Sequence, residues 1–273
     1  MLLVLVKNTN LLIRMASSSP SPSTHRGQQK CCFHEWMILQ EADLSEMLQA
    51  LTVEDNFGDR DVLLRQLVQK NVKHFQAYAD ERTRLAQDHV SPFFAPSWCS
   101  SLENSLLWLA GCRPSLFITL IYALSGIEIE SHIPEFLQGT RTSELSELSL
   151  AAPQLSMINQ LQRRTIKQEE ELSQQLACLQ EKIADQPFAL IAKESSHVAS
   201  QNVQADEALD EHSTSMVRIL EEADKLRIKT LKEMMNILSP VQAVDFLVAG
   251  KKLHLCIHDW GQKRDIKHDY FQV

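Results

Sequence analysis

Glycine is scarce in this sequence, with 7 among 273 residues. A sheet protein of that length needs frequent turn punctuation, and long stretches here run without any, so the scarcity argues for helices. No segment approaches the roughly 20 consecutive apolar residues of a membrane span. The six cysteines, Cys31, Cys32, Cys99, Cys112, Cys178 and Cys256, form no CxxC pair and no zinc-ribbon spacing. They read as reduced, intracellular thiols. Positive charge is not in excess either: the formal net charge is −8, which disfavours a broad face for gripping nucleic acid. A G-x-S-x-G elbow, a P-loop, a Rossmann glycine pattern and an HExxH motif are all missing, so nothing marks a catalytic centre.

What is present is the composition of a globular chain, 44% hydrophobic and 23% charged. The opening MLLVLVKNTNLLIRM has the look of a signal sequence. Its apolar run from Leu2 to Val6 is too short for one, however, and Lys7, Asn8 and Asn10 break the continuation toward Leu11. Met15 opens MASSSPSPST and is a second candidate start. Residues 16–29, rich in Ser, Pro and Gln, are expected to be disordered. That gives an N-terminal arm over 1–29, a helical domain over 30–262 and a tail over 263–273.

Apolar spacing predicts helices over Phe33 to Leu51, Asp61 to about His89, Pro153 to Asp185 and Asp206 to Leu238. Ser100 and Glu103 have capping-box spacing, and Gly111 suits the position just past a helix end. Pro114 can open the next helix, PSLFITLIYALSG, which is apolar nearly all round and so expected to be deeply buried. Residues 139–152 read as a linker. Ser239-Pro240 has the form of an N-cap and N1 proline, starting a last helix to Trp260, with Gly261 beyond it. The expected fold is an all-α multi-helix bundle with several long amphipathic helices. Their stripes predict an intramolecular core, a homodimer seam being the other arrangement they could serve. Arg163-Arg164, Lys225/Arg227/Lys229, Lys251-Lys252, Lys263-Arg264 and the acidic pairs Glu169-Glu170 and Glu221-Glu222 all read as solvated helix faces. Trp36, Trp98, Trp108 and the Met216, Met234 and Met235 group read as core anchors.

The stretch KKLHLCIHDWG carries the candidate site. Residues four apart on a helix lie about 40° apart, so His254 and His258 project from one face. Phe246, Gly250, Leu253, Ile257 and Trp260 form a separate stripe about 100° round, the expected core contact. The histidines share their face with Leu247 and Lys251 and would border the core. Two roles are open to them: paired ligands to a metal or a haem edge, or boundary imidazoles. Leu255 stands where HExxH has its glutamate, which removes metalloprotease chemistry. Cys256 points to the far side as a free thiol.

Three segments, in order, carry a resemblance. They are PSWCSSLENSLLWLAGCRPS, QLSMINQLQRRTIKQEEELSQQLACLQ and ILEEADKLRIKTLKEMMNILSPVQAVDFLVAGKKLHLCIHDWG. They resemble the plant delay-of-germination domain, which also lies C-terminal to the leucine zipper of TGA-type transcription factors. Trp108 to Gly111 with Arg113, and Ala223 to Ala243, match its patterns, and the resemblance spans about residues 30–262. No basic region or zipper precedes the domain in this sequence, which argues against direct DNA binding. The resemblance implies a stand-alone, non-enzymatic regulator of abscisic-acid, seed-dormancy or stress signalling, placed in the nucleus, the cytoplasm or both. Implied partners are type 2C protein phosphatases or transcription factors. It also implies haem as a cofactor, with His254 and His258 as the residues that contact it. The alternative is a transcription-regulatory role, through DNA directly or through TGA-type partners.

Overall fold

Ile158, Leu161, Thr165, Glu169 and Leu172 succeed one another at three- and four-residue steps along one helix, and all are buried. This repeat sets the pattern of the whole protein. The structure, a computed structural model, describes residues 25–52, 59–126, 150–194 and 203–270. The elements are α1 (His25–Leu51), α2 (Asp59–Asp88), the short α3 (Ser91–Phe94) and α4 (Ser101–Ser105), and α5 (Ser115–Leu124). After these come α6 (Ala152–Glu181), a 3₁₀ turn (Lys182–Ala184), α7 (Phe188–Glu194), α8 (Val203–Ile237) and α9 (Pro240–Tyr270). Among the described residues there is no strand, only an isolated bridge between Trp108 and Gly111. The fold is the expected all-α bundle.

Helices α1, α2 and α9 pack mutually, α8 lies against α2 and α6, and α5 wedges between α6 and α9. The main core joins Met47, Leu64, Ile118, Ile121, Ile158, Met234 and Val244, all essentially solvent-free. Ser239 caps α9 as expected, its Oγ accepting from the Gln242 amide at 3.3 Å. No helix is long and apolar enough to cross a membrane among the described residues.

Several expectations are corrected. Helix α1 starts at His25, ahead of Phe33, because Gln29 and Cys32 are buried and the Gln29 amide donates to the His89 carbonyl. Helix α5 is not buried all round: Ile118, Ile121 and Tyr122 face inward, but Leu116 is 50% exposed. Helix α9 does not stop at Trp260. Gly261 lies inside it and is buried, because a Cβ there would come within 2.0 Å of Ser100 Oγ. This glycine admits a close crossing and ends nothing. Its helix continues through the segment expected to be a tail, to Tyr270. The linker expected over 139–152 and most of the N-terminal arm lie outside the described residues.

Candidate functional site

The loop after α4 runs Trp108 to Cys112, and its backbone is unusual. Leu109 and Ala110 both have positive φ, 45° and 62°, a region side chains rarely adopt. The turn aims a row of carbonyls at one point, and Arg227 of α8 fills that point. Its Nε donates to the Cys112 carbonyl at 2.7 Å, and its Nη2 to those of Trp108 and Leu109 at 2.6 and 2.9 Å. Its Nη1 meets Asp224 Oδ1 at 2.6 Å, and the same oxygen takes Arg82 Nη1 at 3.2 Å. Arg82 also donates to the Ala110 carbonyl. Gly111 is needed here because a Cβ would lie 2.9 Å from the Arg227 guanidinium carbon. It therefore does not cap the preceding helix, which ends at Ser105.

Next to this cage, Glu169 of α6 is fully buried, accepting from Arg113 Nε at 2.7 Å and from the Ser115 amide at 2.6 Å. Sequence pattern puts Glu169 and Arg227 on solvated faces. The structure corrects this, since each satisfies backbone groups that would otherwise be orphaned. Lys251, also read as solvated, is likewise buried, but on side chains. It is 5% exposed and holds Gln40 Oε1 at 2.9 Å and Asp43 Oδ2 at 3.1 Å, while His74 Nδ1 contacts Asp43 at 3.0 Å.

The same elements enclose a chamber of about 320 Å³ among α1, α2, α5, α8, α9 and the cage. Phe33, Trp36, Phe75, Phe117, Phe246 and Ile257 form much of its apolar wall. Trp36 stacks on Tyr78 with ring centres 4.4 Å apart. Of the stripe expected in the core, Phe246 is 2% exposed and packs in the main core, whereas Gly250, Leu253 and Ile257 line this chamber and Leu253 is 44% exposed. Trp260, the end of that stripe, is 53% exposed. The packed side of α9 is the one with Val244, Leu247, Val248 and Lys251, the histidine side.

The capping box expected from Ser100 and Glu103 is present and does more than cap. Ser100 Oγ accepts from the Glu103 amide at 3.2 Å, and Glu103 Oε2 accepts from the Ser100 amide and hydroxyl, each at 2.7 Å. The other oxygen, Oε1, meets His258 Nδ1 at 2.8 Å, so the box ties α4 to α9. Burial alone would raise the Glu103 carboxyl, but the Ser100 bonds and His258 hold it below its ordinary value. His258 Nε2 contacts the Gln262 amide at 2.8 Å, which engages both ring nitrogens. His254 lines the chamber, and its side chain makes no hydrogen bond among the described residues.

An imidazole that ligates haem iron needs a free ring nitrogen. His254 offers one. His258 is held at Nδ1 by Glu103, the way a ligating histidine is commonly oriented, and its Nε2 contacts only the exposed Gln262 side chain. The pair would hold haem only with Gln262 turned away from Nε2. Among the described residues no three metal-binding side chains cluster. Burial pushes the thiols of Cys32 and Cys99, both on the chamber wall, up to about 12, which leaves no thiolate nucleophile there.

The half-buried His254 imidazole makes stability depend on pH. Burial lowers the His254 pKa from 6.5 to about 4, against the opposing pull of Glu103. The unfolded chain binds this proton more readily, so the contribution is whole above pH 6.5 and is lost as pH falls toward about 4. Between pH 7.5 and 4.5 the loss is about 2 kcal/mol. Urea unfolding at both pH values checks it: the decline in His254→Gln is smaller than in the parent by that amount.

Fold and site together define a helical scaffold: buried charge is spent on joining helices, and an apolar chamber is left open beside it. A family model described as "DOG1: Seed dormancy control" matches residues 43–123. "Protein DOG1-like 3" of Arabidopsis thaliana is 39% identical over 256 residues, 92% of this chain and 89% of that protein. The chain belongs to the DOG1-like family. It is also 27% identical over 250 residues to "Protein RESPONSE TO ABA AND SALT 1" of Arabidopsis thaliana, covering 89% of this chain and 99% of that protein. "Transcription factor TGA6" of the same plant is 25% identical over 230 residues, 84% of this chain and 59% of that factor.

Proposed function

We propose that this protein is a non-enzymatic regulator in abscisic-acid, seed-dormancy or stress signalling, acting by binding other proteins in the nucleus, the cytoplasm or both. The observation that carries this reading is the near full-length match to DOG1-like 3, joined by the match to a protein named for its response to abscisic acid and salt. The scaffold supports it. On α9, Trp260 is 53% exposed, and an exposed tryptophan is a frequent binding anchor. The partners we propose for the Trp260 face are type 2C protein phosphatases, with transcription factors as the alternative.

Trp260→Ala tests the reading without disturbing the core. Capture of purified type 2C phosphatase by the full chain should fall at least tenfold, with the melting temperature within a few degrees of the parent. Equal capture by parent and variant would reject this face, and no capture by either would reject the phosphatase partner. The likeness to TGA6 favours a second reading, a transcriptional role through association with TGA-type factors. The same capture assay with a TGA-type factor as prey tests that reading, and a mobility shift by this protein alone would redirect it to DNA.

A further inference from the structure

Buried polar side-chain atoms almost always have a partner, so exceptions need an explanation. Four exceptions here belong to residues on the chamber wall: Gln29 Oε1, Gln40 Nε2, Asn71 Oδ1 and Asp224 Oδ2. These residues are 1%, 1%, 2% and 4% exposed. Each uses its other polar atom internally: Gln29 on the His89 carbonyl, Gln40 on Lys251, Asn71 on the Leu67 carbonyl and Asp224 on the two arginines. What remains unpartnered is therefore three acceptors and one donor. His254 adds a ring nitrogen with no hydrogen bond among the described residues, and it stands neutral at ordinary pH.

The exposed apolar side chains point to the same place. Leu106, Leu116 and Leu253, 51%, 50% and 44% exposed, come from three different elements and all line this chamber. Water left against such walls is unfavourable, and a mostly apolar pocket with a few convergent polar groups is the usual form of a small-molecule site. The cations decide its charge preference. The charges of Arg82, Arg227 and Lys251 are matched in number by three buried carboxylates, Asp224, Asp43 and Glu103, so these groups leave no net positive charge to hold an anion. Bringing a carboxylate or phosphate into the chamber would leave it desolvated and unpaired.

We infer that the chamber is a binding site for a neutral, mainly apolar small molecule bearing hydroxyl groups, to which the unpartnered acceptors on Gln29, Asn71 and Asp224, covered in this state, turn as it binds. Its volume, about 320 Å³, suits a ligand at the small end of the drug-sized range. Ligand and protein partner occupy different places, the chamber and the Trp260 face of α9, so this inference does not depend on the partner reading.

Isothermal titration of the full chain with 2-naphthol, 2-naphthoate and naphthalene at pH 7.5 tests it. 2-Naphthol should bind saturably, one per chain, at least tenfold tighter than the anionic 2-naphthoate. Gly250→Met fills the chamber from a helical position where an added Cβ meets only Leu120 Cδ2, at 3.6 Å. It should cut 2-naphthol affinity at least tenfold with helicity retained. Asn71→Leu removes one unpartnered acceptor, so it should weaken 2-naphthol severalfold and leave naphthalene unchanged. Naphthoate binding as tightly as naphthol would overturn the inference in favour of an anion site. Absence of saturable naphthol binding, or binding untouched by Gly250→Met, would overturn it in favour of a water-filled void.

Discussion

Replacing Arg227 with methionine is expected to destabilise the protein by about 3–5 kcal/mol, the scale for breaking a buried ion pair from one side. The substitution keeps an apolar side chain of comparable length, so the loss reports on charge and hydrogen bonds more than on volume. The carbonyls of Leu109 and Cys112 lose the arginine donor at once, and that of Trp108 keeps only the Gly111 amide at 3.1 Å. Asp224 keeps only the longer contact, 3.2 Å to Arg82, and its second oxygen has no partner to begin with. The positive-φ turn at Leu109 and Ala110 then loses the group that holds it in a disfavoured backbone region. Arg227→Lys should recover little, because one ammonium cannot place donors on three carbonyls and a carboxylate together. Denaturant unfolding gives the stability. Near-ultraviolet dichroism reports on Trp108, whose ring lies 5.4 Å from the guanidinium. A loss under about 1 kcal/mol would show that the loop holds its shape unaided.

This junction explains why the sequence is legible in some places and opaque in others. Helical periodicity is a local signal, and it places the long helices to within a few residues, except where distant contacts extend a terminus. Gln29 reaches the His89 carbonyl across 60 positions, and nothing near Gln29 announces it. The capping box at Ser100 and Glu103 is readable because both halves lie within one turn. Its extension to His258, 155 positions away, is not. Charge misleads in a consistent way. Arg227, Lys251 and Glu169 sit among other charged residues, and such runs are usually solvated, yet each is buried on a partner from another part of the chain. The stripe of α9 misleads for a related reason. Leu253 and Ile257 are apolar because they line a chamber, and an apolar chamber wall has the same pattern as a core. Gly111 and Gly261 both stand where a glycine usually stops a helix. Each instead makes room for an approach by Arg227 or Ser100 that only the assembled fold defines.

Asp43→Ala is the second large effect, about 3–5 kcal/mol at pH 7, and it carries a pH signature that Arg227→Met lacks. Asp43 is fully buried and binds two groups at once, His74 Nδ1 at 3.0 Å and Lys251 Nζ at 3.1 Å. Burial alone would raise its carboxyl, but the His74 and Lys251 bonds hold it below its ordinary value. In the parent that contribution is complete above the ordinary carboxylate range and fades as pH falls through the lowered value. Burial already pulls the Lys251 pKa down, with Asp43 as the opposing influence. Without Asp43 the lysine loses its main reason to stay charged, so its folded pKa drops further. The unfolded variant then binds the proton that the folded variant gives up. Stability of Asp43→Ala therefore rises with pH from 7 toward 9, while that of the parent changes less over the same range. Lys251→Met placed on Asp43→Ala should abolish this rise and restore part of the stability, since no buried charge is left alone. A flat pH response in Asp43→Ala would mean that Gln40, 2.9 Å from the ammonium, is enough to keep Lys251 charged.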